Sequence, residues 1–250
     1  MFIEPKALLP LAATFSQASI SGYYVGAVAV GESGQIYLGA NLEFEGVSLN
    51  ATIHAEQSAV VNAWMHGESS IKALHISASP CGHCRQFLCE LSNTESIEIC
   101  ILGRVDSIDR LLPDAFGGNP TKGIGLFNAA PCVLQGTKEE KDTARIQAIA
   151  TAQHSYAPYS HSPEGFLLEC SDGQIFTGRS IESVAFNPSI SAVLVALNQR
   201  NLSASRDTSI TKCTLAKLTT TLNNPLPLAT SILKVLTGAS IDVVEMENQL

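Results

Sequence analysis

The sequence predicts an α/β fold that occurs twice along the chain, and three features carry that prediction. Residues 33–43, SGQIYLGANLE, align without gaps on residues 172–182, DGQIFTGRSIE, with the Gly-Gln-Ile run, the aromatic, the next glycine and the final glutamate in step. In each copy an apolar segment precedes the turn and an alternating one follows it, as in two strands joined by a glycine-containing turn. A stretch with apolar residues at three- and four-residue spacing then follows in both, the pattern of a helix. Strands and helices mixed in this order predict α/β layers with helices covering a sheet.

Taken in order, YVGAVAV at 24–30 predicts the first strand and AEQSAVVNAWMH at 55–66 the first long helix. ALHISA at 73–78 reads as a strand, residues 81–91 as a helix and IEICIL at 97–102 as another strand. GGNPTKGIG at 117–125 is a Gly- and Pro-rich loop, and a new helix starts after GTKEEKD at 136–142, with the linker between them. The second copy continues with strand FLLEC at 166–170, helix SAVLVALNQR at 191–200, strand TKCTLAKL at 211–218, a helix around 227–237 and a final strand IDVVEM. The expected domains are therefore 1–130 and 138–250.

Composition narrows the class. A chain of 250 residues with 45% hydrophobic and 15% charged residues can build packed cores, and two domains fit its length better than one. With a formal net charge of −8 and no run of Lys or Arg, a polynucleotide partner is disfavoured. The opening MFIEPKALLPLAA, acidic at Glu4 and interrupted by Pro5 and Pro10, fits neither a signal peptide nor a membrane span. A soluble cytoplasmic protein is expected. The cysteine count of seven is odd and the residues are scattered, which argues against a disulfide framework. Cys89, Cys100, Cys132, Cys170 and Cys213 read as small buried hydrophobes.

The chemistry concentrates in two short runs. His54-Ala55-Glu56 stands just before the first long helix, and Pro80-Cys81-Gly-His-Cys84 follows the strand at 73–78. Alone, the CxxC suits a redox pair or half of a structural zinc site as well as a catalytic metal. A helix starting near Ala55 projects His54 from its first turn, and a helix starting after Pro80 puts Cys81 and Cys84 on one face. Helix N-termini favour thiolate over thiol, and one imidazole with two thiolates makes three zinc ligands. Three ligands with an open fourth position and a carboxylate beside it, Glu56, indicate a catalytic site. H-x-E followed by P-C-x-x-C is the signature of zinc deaminases. His83, between the two cysteines, is not taken as a ligand. Arg85 suits either a contact to a thiolate or the helix surface, and Trp64 and Met65 suit helix packing.

HAEQSA at 54–59, PCGHCRQF at 80–87, GANLEF at 39–44 and LPDAFG at 112–117 together resemble the two-domain, homodimeric cytidine deaminases of bacteria, and APYSHSPEG at 157–165 extends the likeness into the second copy. The resemblance covers nearly the whole chain. It implies three-layer α/β/α domains with a mixed sheet, the first carrying one zinc ion per chain on His54, Cys81 and Cys84, the second lacking a metal site. It implies hydrolytic deamination of cytidine and 2′-deoxycytidine to the uridine nucleosides with release of ammonia, Glu56 alternating as base and acid. Asn41 and Glu43, two apart on a strand end and so on one face, hold the ribose 3′-hydroxyl by the same likeness. On the residues alone they suit a turn and the surface. Backbone at Ala55 and the aromatics Tyr23 and Phe116 are expected at the base, Phe116 from the partner subunit of a homodimer. Two features depart from the family: its members often carry a further helical N-terminal segment, and position 23 is Tyr where Phe is commoner. A deaminase of bases within nucleic acid and a non-catalytic zinc-stapled module are the alternatives. The acidic balance opposes the first, and the presence of Glu56 the second.

Overall fold

A computed structural model describes residues 4–117 and 124–248, so most of the expected 117–125 loop lies outside the described residues. The chain forms two compact units. The first comprises residues up to 43, 52–129 and the short segment 183–189; the second comprises 44–51, 130–182 and the remainder from 190.

In the first unit a 3-10 turn at Pro5–Leu8 leads into α1 (Leu9–Ala13). Strands β1 (Gly26–Gly31) and β2 (Ile36–Ala40) form the hairpin, followed by α2 (Ala55–Met65), β3 (Ile71–Ile76), α3 (Gly82–Leu88), β4 (Glu98–Ile101), β5 (Arg104–Asp106) and α4 (Ile108–Leu111). The sheet order is β2-β1-β3-β4-β5, with β3 and β4 parallel and the other neighbours antiparallel. Pro5 and Pro10, which suggested interruption in the sequence, both sit in first turns, where proline's missing N–H costs nothing.

Two glycines fix how the helices lie on this sheet. A Cβ on Gly26 would meet the Leu9 carbonyl oxygen at 2.4 Å, and one on Gly39 would meet the Ala59 nitrogen at 2.2 Å. Gly39 pairs with Ala27 across the hairpin, so Gly26 and Gly39 face opposite sides of the sheet. Hence α1 covers one face and α2 the other, giving three layers. Helix α2 is buried almost all round, from Ala55 through Val61 and again at Ala63 and Trp64. Two of its polar residues are tied to β2: buried Ser58 accepts the Ala40 N–H through Oγ at 3.1 Å, and half-buried Asn62 donates to the Leu38 carbonyl at 2.9 Å.

The second unit repeats the plan: β6 (Leu134–Gly136), α5 (Thr143–Ala152), β7 (Glu164–Cys170), β8 (Ile175–Arg179), α6 (Ala192–Asn201), β9 (Ile210–Leu218), α7 (Leu226–Leu236) and β10 (Ile241–Asn248). The order is β6-β10-β9-β7-β8, again with one parallel pair, β9 and β10. Gly165 lies against the Ala148 carbonyl oxygen at 2.0 Å and Gly178 against that of Ala192 at 2.1 Å, each measured from the Cβ that glycine lacks. The glycines shared by the two copies thus mark the same two strand–helix approaches. The core of this unit gathers Ala148, Leu167, Ala216, Val244 and Met246. Strand β6, inside the stretch expected as linker, pairs antiparallel with β10.

Gly39→Ala is expected to destabilise by about 3 kcal/mol, because the new methyl meets helix backbone. Gly34→Ala, in the β1–β2 turn at φ +85° with open space around it, should cost only about 1 kcal/mol of left-handed strain. Urea unfolding of the two variants checks the difference.

Candidate active site

His54 is the residue immediately before α2, in extended conformation. A two-way bridge sets it there: the N–H of Leu42 donates to Ile53 O at 2.9 Å and that of Ile53 to Leu42 O at 3.1 Å. Cys81 caps α3 in the same extended conformation, and Cys84 lies one turn inside that helix, fully buried. Arg85 meets neither of its expected roles. Its Nε donates to Pro80 O at 3.0 Å and its Nη1 to Leu111 O at 2.8 Å, fastening the start of α3 to the end of α4.

These two helix starts converge. Cys81 Sγ stands 3.3 Å from His54 Nδ1 and 3.7 Å from Cys84 Sγ, and all three ligand atoms lie within 4.8 Å of one another. A tetrahedral zinc with bonds of ~2.3 Å to sulfur and ~2.0 Å to nitrogen has ligand–ligand edges of roughly 3.5–3.8 Å. The donor set and its spacing therefore fit zinc. Among the described residues this is the one group of three or more His, Cys, Asp or Glu side chains so arranged. His83 is exposed and outside it.

The groups of the cluster shift one another's protonation. The Cys84 thiol, then His54, hold the Cys81 thiol down at about 3. That hydrogen bond, burial and the nearby Glu56 push the Cys84 thiol up. Its contact with Cys81 raises His54. Glu56, 4% exposed in the first turn of α2, has its carboxyl raised by burial.

The cluster opens onto a cavity of about 300 Å³ lined by Tyr23, Asn41, Glu43, His54, Ala55, Glu56 and Cys81, with Ser21, Thr52 and Ser79 beside them. That volume suits a small organic ligand. Asn41 and Glu43 face one way, as their spacing predicted, with Asn41 Nδ2 3.3 Å from Glu43 Oε1. Asn41 also accepts the Val25 N–H at 3.0 Å and donates to Tyr23 O at 3.0 Å. Tyr23 is 63% exposed at the rim. Phe116 does not line the cavity and is 64% exposed; its backbone is gripped both ways by the Gln86 amide.

Sequence reasoning missed the turn that holds Glu43. Its carboxylate accepts the N–H groups of Ile20 at 3.0 Å and Ser21 at 2.9 Å and the Ser21 hydroxyl at 2.6 Å. Burial works against its charge, but those donors and the Asn41 amide together hold the carboxyl below its ordinary range. The second unit repeats the device: Glu182 accepts the N–H of Tyr159 at 2.9 Å, that of Ser160 at 3.0 Å, and the Ser160 hydroxyl. Extending the internal alignment backwards to Ser21 and Ser160 carries the signal. In both units, then, this glutamate also shapes a turn.

What the second unit lacks is equally definite. At the start of α6, Ser191 stands where α2 has His54, and Val193 where it has Glu56. By strand register Glu164 takes the place of Val25. Its carboxyl, 1% exposed, accepts the Ala192 N–H at 3.2 Å and the Asn223 amide at 2.9 Å. The first turn of α6 is thus closed by a side chain of its own unit.

Comparison with known proteins agrees with this arrangement. Models described as "Cytidine and deoxycytidylate deaminase zinc-binding region" match residues 6–100 and 108–222. The chain thus carries two copies of a zinc-binding deaminase fold. It is 44% identical over 212 residues to the cytidine deaminase of Cronobacter sakazakii, covering 84% of this chain and 71% of that protein. It is 44% identical over 205 residues to that of Pectobacterium atrosepticum, covering 82% and 69%. Among solved structures, the cytidine deaminase of Mycobacterium tuberculosis is 32% identical with a TM-score of 0.41, over 45% of this chain and 94% of that one. The chain belongs to the cytidine deaminase family.

Burial pushes Glu164 up to about 8, with the Glu182 charge adding to it. The folded state therefore keeps a proton that the unfolded chain loses near pH ~4.3. Stability from this group is full below that value and falls as pH rises towards about 8, by up to ~1.4 kcal/mol per pH unit. Glu164→Gln should flatten the slope, so its melting temperature should gain on the wild type between about pH 5 and about pH 8.

Proposed function

We propose that this protein is a zinc-dependent cytidine deaminase whose chemistry resides in residues 1–130, with residues 138–250 a duplicated domain lacking a metal. The observation that carries the reading is the His54, Cys81 and Cys84 cluster at the floor of a cavity that also holds the buried Glu56 carboxyl. His54, Cys81 and Cys84 would hold one zinc ion per chain. When bound, zinc supplies the Lewis acidity that lets water ionise near neutral pH.

Glu56 performs the proton transfers. Its carboxylate takes one proton from water and delivers it to N3 of the cytosine ring as oxygen adds to C4, then takes the remaining proton from that oxygen and passes it to the departing amino group as the C4–N bond breaks. Cytidine and water become uridine and ammonia. Burial of Glu56 supports the role, since a carboxyl raised by burial holds a proton taken from water more readily than an exposed one would before passing it on. The backbone of Ala55, at the first turn of α2, meets the pyrimidine, and Tyr23 at the rim packs on it.

Asn41 and Glu43 take the ribose 3′-hydroxyl, a group that cytidine and deoxycytidine share, so both nucleosides are substrates. Asn41 Oδ1 and Nδ2 are already committed to the Tyr23–Val25 turn, which supports an orientation fixed before substrate arrives. Phe116, exposed and outside its own cavity, comes from the partner subunit of a homodimer to close the site. The cytoplasm is the proposed compartment, supported by seven free cysteines. No described helix is long and apolar enough to cross a membrane.

Glu56→Gln should lower kcat for cytidine by roughly a thousandfold, within the range usual for a lost general acid–base group, while leaving zinc content unchanged. Ammonia release and metal analysis of the variant check this, and near-native turnover would remove Glu56 from the mechanism. Glu43→Gln should raise KM for both nucleosides roughly ten- to a hundredfold, as expected when a charged hydrogen-bond acceptor is neutralised. Steady-state kinetics with cytidine and deoxycytidine measure it.

A further inference from the structure

Gln57, next to Glu56 in the first turn of α2, is 5% exposed and uses both ends of its amide. Its Oε1 accepts the backbone N–H of His54 at 3.1 Å, and its Nε2 donates to the carbonyl of Pro188 at 3.0 Å. Helix capping explains the first bond, since a Gln at this position commonly reaches back to the N–H of the cap residue. It does not explain the second, whose acceptor lies 131 residues along the chain.

Pro188 belongs to Ser183–Ser189, the short segment that clusters with the first unit although it comes from the second half of the sequence. The segment is a tight turn. Ser183 N–H donates to Ser189 Oγ at 2.9 Å, Phe186 N–H to Ser183 O at 2.8 Å and Ser189 N–H to Phe186 O at 2.9 Å. Its other end is held by Glu90, 3% exposed, whose Oε1 accepts the Val184 N–H at 2.8 Å. A stretch bonded within itself and pinned at Glu90 presents a stationary carbonyl to Gln57.

We propose that Gln57 is a positioning residue that clamps His54 to this segment, so that the duplicated half of the chain helps to hold the imidazole in place for zinc. The proposal rests on the reading of His54 as a zinc ligand. Fixing the N–H of residue 54 limits rotation of its backbone, and that rotation would swing Nδ1 away from Cys81 Sγ, now 3.3 Å distant. Outer partners that orient a metal-ligating histidine are typically worth ten- to a hundredfold in metal affinity or activity. In the second unit Leu194 occupies the equivalent place in α6, three residues after Ser191, so the clamp is missing where the ligand is missing.

The test uses the zinc-loaded protein with Gln57→Met, which keeps the volume and removes both hydrogen bonds. Zinc transfer to a chromogenic chelator should be roughly tenfold or more faster than in the wild type, and the visible bands of the cobalt-substituted variant should shift. Wild-type transfer rates and bands in a folded Gln57→Met protein would overturn the clamp. If that variant does not fold, Gln57→Glu retains an acceptor for His54 but has no donor for Pro188. Accelerated zinc transfer then supports the part played by the segment, and a wild-type rate overturns it. Wild-type protein that binds no zinc would instead refute the metal site itself, an outcome distinct from failure of the clamp.

Discussion

The approach of strand β2 to helix α2, which is possible because residue 39 has no side chain, fixes where the chemistry stands. Any Cβ there would lie 2.2 Å from the Ala59 nitrogen, so even alanine would push the helix off the sheet. With the helix seated, the Leu42–Ile53 bridge brings the chain to His54 at its first turn. The parallel β3 and β4 strands place α3, and Cys81 with it, at the same end of the sheet. The ligand distances follow from backbone packing, and packing of this kind resists the drift that loose loops allow.

Duplication has kept this scaffold and discarded its reagent. The pairs Gly26 and Gly165, Gly39 and Gly178, and Glu43 and Glu182 perform the same steric or hydrogen-bonding task in each unit. His54, Glu56, Cys81 and Cys84 have no counterparts in α6 or in the loop after β9, and Glu164 with Asn223 occupies the helix start. A buried carboxyl held in its protonated form costs less than an ion there would, and it satisfies an N–H that would otherwise be orphaned. In the proposed reading the second unit is a support for the first.

Much of this was legible in the sequence, for physical reasons that differ by element. The hairpins showed because glycines at close approaches and left-handed turns leave little choice of residue, and the metal cluster showed because thiol, imidazole and carboxylate at fixed spacing have few other uses. The three- and four-residue elements β5, β6 and α4 did not show, since strands and helices that short are defined by their partners more than by their own pattern. Helix α2 was found, but its near-complete burial was not, because residue spacing marks a helix without showing what packs on it. The second bond of Gln57, the carbonyl contacts of Arg85 and the Glu164 plug were hidden for one reason: each depends on which distant backbone group the fold brings within 3 Å or so.

Zinc K-edge X-ray absorption on the purified protein tests the central claim most directly. One zinc per chain is expected, with two sulfur ligands at ~2.3 Å and two lighter ligands at ~2.0 Å, one of which exchanges for a light atom of a bound substrate analogue. A shell of four protein ligands that no analogue perturbs, or a second equivalent zinc in each chain, would contradict it.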